Sequence, residues 1–133
     1  MELTYLCPLL SVFDMDASLR FYVEVLGFKI HQRAGEKDDT GWVWLTKGNV
    51  NLMLNTQYEK VDRPKKRDLA RDANHNDTIL YFGCAAVDGA YRELKGKGLQ
   101  IQPPEIASYG MKQLYFHDPD GYSICLQWEH LQT

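Results

Sequence analysis

The sequence predicts an α+β fold made of two strand–helix–three-strand (βαβββ) modules in one chain. Three observations predict it. The first is an internal repeat: Met15-Asp16 corresponds to Val87-Asp88 and Arg20 to Arg92, each 72 residues apart, and Gly27 and Ile30 correspond to Gly98 and Ile101, 71 apart. The second is that each half carries short segments alternating with period two, bounded by Gly, Pro and Asp turns. The third is that each half carries one helical stripe. One helix covers only one face of a sheet, so the other face must curve around a ligand or another sheet.

The elements follow in order. Residues 3–13 place Leu6, Leu10 and Val12 on one side and Tyr5, Cys7, Leu9 and Ser11 on the other, a strand that Pro8 puts at an edge or bulge. Asp14 or Asp16 opens a helix by accepting from free N–H groups. Its apolar stripe is Leu19, Tyr22, Val23 and Leu26, and Gly27 stops it. Strands over about 28–33, 40–47 and 50–55 complete module one, about residues 3–55. Residues 56–77 are rich in charge and form a linker, with a short helix from Asp68 to Ala73. The linker reads as a solvated crossover or as a flap with Tyr58 or Arg63 reaching into a site.

Module two, about residues 78–129, begins with the strand Thr78–Cys84. A helix with the stripe Val87, Ala90, Tyr91 and Leu94 ends at Gly96 and Gly98. Leu99 to Gln102 starts a short strand that Pro103-Pro104 halts. The last two strands, 111–116 and 122–128, form a hairpin around Asp118-Pro119-Asp120-Gly121, in which Pro sets φ and Gly accepts positive φ. The last five residues read as frayed.

The totals bound the function. At 133 residues the chain is a single domain with room for a sizeable core. A net charge of −3 gives no footprint for nucleic acid, and no apolar run approaches a membrane span. The N-terminus lacks a signal-peptide pattern. Cys7, Cys84 and Cys125 are odd in number and lie in apolar strands, which suits reduced thiols of a cytoplasmic protein.

Three groups of residues carry a family resemblance across the whole chain. They are Val12-Phe13-Asp14 through Ser18 to Phe21-Tyr22, then Leu26-Gly27-Phe28, then Tyr109-Gly110-Met111 with Asp118-Pro119-Asp120-Gly121. The chain resembles the vicinal oxygen chelate superfamily, which contains glyoxalase I, the bleomycin-resistance proteins, fosfomycin-resistance enzymes and extradiol dioxygenases. These motifs shape helices and turns, so they specify fold more than activity. The resemblance implies curved mixed sheets forming a cup, one helix covering each sheet, and a divalent metal held in the cup by His, Gln or Glu side chains from the first and last strand of each half. Those positions fall on Cys7, near Met53, Ile79 and Cys125. A catalytic site needs three hard or borderline protein donors, and this set does not provide them. The expectation is therefore no metal and no cofactor. His31, His75, His117 and His130 show no ligand spacing, although His117 shares the parity of Tyr115 and points to the rim.

Strand parity names the ligand-binding candidates. In module one they are Cys7, Trp42, Trp44, Asn51 and Met53, and in module two Ile79, Tyr81, Gln113, Tyr115 and Cys125. This lining is aromatic and apolar with a few amide and hydroxyl groups. It suits a planar or amphipathic organic ligand, or else packing against itself or a second subunit. Three readings follow: a metal-free binding protein for a small aromatic or hydrophobic molecule; a lyase, isomerase or dioxygenase of the glyoxalase type with ligands from elsewhere, such as His117 or Glu129; and a homodimer whose cup is filled.

Overall fold

The structure, a computed structural model, describes residues 1–130. The chain forms two compact units, Met1–Arg67 and Asp68–Thr133. The fold class is borne out: two four-stranded mixed sheets with helices, each following the strand–helix–three-strand order.

In the first unit, β1 (Leu9–Val12) leads into α1 (Met15–Leu19), then β2 (Lys29–Glu36), β3 (Asp39–Lys47) and β4 (Val50–Thr56). The sheet order is β1-β4-β3-β2, with β1 parallel to β4 and the other pairs antiparallel. Asp14 caps α1 by accepting the Ala17 N–H at 3.3 Å. The helix continues over Arg20–Val25 in a wider π-helical winding, with the Leu26 N–H donating to Phe21 O at 2.9 Å. Gly27 then takes φ +82, and Lys47 Nζ donates to Leu26 O at 2.8 Å, satisfying a terminal carbonyl. One sheet face packs on this helix: Val12, Val43, Leu45, Leu52, Leu54 and Tyr22 have no exposed surface. Each such side chain contributes roughly 1.5–3 kcal/mol of transfer free energy.

The first strand is shorter than the expected 3–13. Its ladder starts at the pair Leu9–Met53, and residues before Leu9 form no strand. Pro8 has no N–H to give; its carbonyl accepts the Met53 N–H at 2.8 Å, and pairing proceeds only beyond it. The charged segment after β4 is fastened to the start of α1. Arg63 pairs with Asp14 at 3.2 Å and lies over the Phe13 ring, Lys60 pairs with Asp16 at 3.7 Å, and Tyr58 meets Phe13 edge-on.

The second unit opens with α2 (Leu69–Asn74), capped by Asp68 and followed by a 3₁₀ turn at His75–Asp77. Then come β5 (Ile79–Gly83), α3 (Val87–Gly96), β6 (Glu105–Ile106), β7 (Met111–His117) and β8 (Ser123–Glu129), in sheet order β5-β8-β7-β6. Val87, Leu94, Leu114 and Ile124 bury the helix-facing side. The strand expected at 99–102 is absent. Its place beside β7 is taken by Glu105–Ile106, beyond the two prolines, whose missing N–H groups keep 103–104 out of a ladder. At the chain end, Glu129 closes β8 and the His130 N–H donates to Gly110 O at 2.9 Å. The rest of the tail expected to fray, 131–133, lies outside the described residues.

The β7–β8 turn is tightly held. Asp118 Oδ1 accepts the N–H groups of Asp120 and Tyr122, each at 2.9 Å. Gly121 has φ +85, and a Cβ there would lie 2.6 Å from Asp72 O of α2. His75 stacks on Tyr122 at 4.1 Å between ring centroids, and its Nδ1–H donates to Asp120 O at 2.7 Å. No helix of the described residues is long and apolar enough to cross a membrane.

Candidate functional site

Each sheet has a second face that its helix does not cover, and the candidate residues on the strands lie on these faces, with Cys7 just ahead of β1. Alternation along the strands places them there: Val43 and Leu45 point to the helix, while Trp42 and Trp44 between and beside them stay half-buried. On the first unit's face, Trp44 sits opposite Met53 and donates its Nε1–H to Asn51 Oδ1 at 3.0 Å. Tyr5 and His31 flank its indole at 5.8 and 4.9 Å between centroids. Trp42 lies one row along, opposite Asn55. Cys7 is half-buried just before the start of β1.

On the second unit's face, register brings Tyr115, Cys125 and Tyr81 into one row across β7, β8 and β5. The two tyrosine hydroxyls meet at 2.9 Å, and Cys125 between them is fully buried. The next row holds His117, Ser123 and Ile79, and the row on the other side holds Gln113 and Gln127. Gln113 Nε2 donates to both Gln127 Oε1 at 2.9 Å and the Tyr109 hydroxyl at 2.8 Å. The hydrogen bond to Tyr81 holds the Tyr115 hydroxyl's pKa well above the ordinary phenol range, with burial and Cys125 adding to it. Burial likewise pushes the Cys125 thiol up from 9.0, against smaller downward effects of hydrogen bonds with Tyr115 and Leu114. Both groups keep their protons at neutral pH.

Sequence reasoning missed Asn76, whose side-chain oxygen accepts from Ser123 Oγ at 2.7 Å and from His117 Nε2 at 3.1 Å. Asn76 lies in a polar 3₁₀ turn without periodicity, so nothing local pointed to it. Ser123 and Gln127 share the parity of Cys125, which by itself assigns them to this face, and the register places them in the rows on either side of it.

The residues at the family's metal positions do not fit a hard divalent cation. Ile79 offers no donor, Met53 offers a thioether, and Cys125 presents a buried, protonated thiol whose Sγ–H faces Leu126 O at 3.7 Å. Among the described residues, no group of three His, Cys, Asp or Glu side chains could hold a metal ion.

Comparison with known proteins agrees with this architecture. A protein of Arabidopsis thaliana, "Glyoxylase I 4", is 30% identical over 113 residues, which are 84% of this chain and 62% of that protein. The chain thus spans under two thirds of that relative's length. The crystal structure of a bleomycin resistance determinant encoded on transposon Tn5 is 26% identical with a TM-score of 0.72, covering 97% of this chain and 100% of the other. A glyoxalase/bleomycin resistance protein/dioxygenase from Nocardioides shares the fold at a TM-score of 0.73 and 18% identity, covering 100% of this chain and 87% of the other. Residues 5–126 match the model of one family, and the chain belongs to it: the Glyoxalase/Bleomycin resistance protein/Dioxygenase superfamily.

Proposed function

We propose that the protein binds a small aromatic or hydrophobic molecule without a metal, on the open sheet faces. The observation that carries this reading is the composition of those faces. Thiols, a thioether and an alkyl chain stand where a metal enzyme of the family has His, Gln or Glu, and the same sheet faces carry aromatic rings and neutral amides, with the Tyr81–Tyr115 hydroxyl pair over the buried Cys125. On the second unit's face a flat ring gains area against Tyr81 and Tyr115 with Gln113 to orient a polar substituent, and on the first unit's face Trp44 and Asn51 offer the same kind of pairing. The likeness to the bleomycin resistance determinant supports a binding role. Exposed Tyr5, Leu6 and Leu9 favour a homodimer, and the three unpaired thiols suit a cytoplasmic location.

A screen of aromatic compounds by tryptophan fluorescence and thermal shift tests the reading. A ligand at a hundred times its Kd adds about 2.7 kcal/mol of stability. Absence of any quenching or shift across the screen overturns it. The 30% identity to "Glyoxylase I 4" favours a second reading, a lyase of the glyoxalase type. Turnover of a hemithioacetal that a chelator abolishes would establish that reading in place of the first.

A further inference from the structure

The polar row beside the tyrosines has a defined hydrogen-bonding polarity. Asn76 Oδ1 is an oxygen and only accepts, yet both Ser123 Oγ and His117 Nε2 address it, at 2.7 and 3.1 Å. Ser123 therefore gives its hydroxyl proton to Asn76, and His117 gives the proton on Nε2. A neutral imidazole with Nε2–H has a lone pair on Nδ1. His117 is exposed at the end of β7, on the same face as Tyr115, so its ring is accessible to a ligand on that face. Asn76 is itself held in place. The same 3₁₀ turn carries His75, fastened to the β7–β8 turn by its stack on Tyr122 and its bond to Asp120 O.

Tyr115 and His117 are same-face neighbours on one strand, roughly 6.8 Å apart along it. That is the reach of one aromatic ring with a polar substituent. We propose that His117, oriented by Asn76, is a specificity residue that accepts a hydrogen bond through Nδ1 from the hydroxyl of a phenolic ligand whose ring rests on Tyr81 and Tyr115. This deepens the aromatic-ligand reading and rests on it. The acceptor selects phenols over their methyl ethers, because an ether brings a second acceptor to Nδ1 and no proton to share.

The test compares 4-ethylphenol with 4-ethylanisole as probes, by NMR titration of the full chain and of His117→Phe, a variant that keeps a ring and removes the acceptor. The expected result is about tenfold tighter binding of the phenol by the unmodified protein, in line with one lost hydrogen bond, and equal binding of the two probes by His117→Phe. Equal binding by the unmodified protein overturns the role of His117 and leaves the aromatic-ligand reading standing. A phenol preference that survives in His117→Phe does the same. No binding of either probe overturns the phenol proposal, while the aromatic-ligand reading is decided separately by the screen of aromatic compounds. Nitrogen-15 spectra of the unmodified protein supply a readout independent of the variant's folding. His117 is expected with its proton on Nε2, and a proton on Nδ1 overturns the proposal.

Discussion

His75 joins the crossover to the turn that the second unit is built around, and its replacement separates two interactions. Its ring stacks on Tyr122 with an interplanar angle of 6°, and Nδ1–H donates to the carbonyl of the fully buried Asp120 at 2.7 Å. His75→Phe keeps a stacking ring and removes the donor. A buried carbonyl left short of its partner costs about 1–3 kcal/mol. His75→Ala removes the ring as well, adding about 0.5–1.5 kcal/mol for the aromatic pair. The expected losses are about 2 kcal/mol for His75→Phe and about 3 kcal/mol for His75→Ala, read from urea unfolding by far-ultraviolet dichroism. Hydrogen exchange of the 69–77 amides should rise in the same order, because the segment's anchor is what changes. A His75→Phe stability within about 0.5 kcal/mol of the parent, the spread of neutral surface substitutions, refutes the role given to the hydrogen bond. The same result for His75→Ala refutes the anchor as a whole.

Gly121→Ala should destabilise by more than about 1 kcal/mol, because φ +85 is strained for alanine and its Cβ would meet Asp72 O at 2.6 Å; an unchanged urea midpoint counts against that close approach. Alkaline pH should weaken the fold. Burial first, for Cys125, and the Tyr81 hydrogen bond first, for Tyr115, raise both pKa values in the folded state. The stability they contribute is complete below the unfolded values, 9.0 for the thiol and 10.0 for the phenol, and is lost as pH rises through the folded ones. Thermal melts from pH 8 to 11 should fall less steeply in Cys125→Ala, and an identical slope would exclude the thiol as a contributor. Protein incubated with Mn, Ni or Zn and then dialysed should keep far less than one equivalent by elemental analysis; a retained equivalent refutes the donor-set argument.

The sequence by itself determined what short-range physics decides. Period-two alternation around Val43 and Leu45, an aspartate cap at Asp14 or Asp16, the Gly27 stop and the Asp118-Pro119-Asp120-Gly121 turn each depend on neighbours within a few residues, and all are found in the structure, the cap at Asp14. The short helix expected from Asp68 to Ala73 is found one residue later, at Leu69–Asn74, with Asp68 as its cap. Ladder limits were less legible, as the first strand and residues 99–102 show, because a strand exists only where a partner offers its N–H and C=O groups. Tertiary structure alone decided which side chains meet. Tyr81 and Tyr115 are 34 residues apart and share a hydrogen bond because β8 sets the register of both neighbours. Asn76 reaches His117 across 41 residues because α2 and its 3₁₀ turn dock on the hairpin through His75. Parity assigns a residue to a face, but only register and docking bring its partner to it, and those are set by packing of segments distant in the chain.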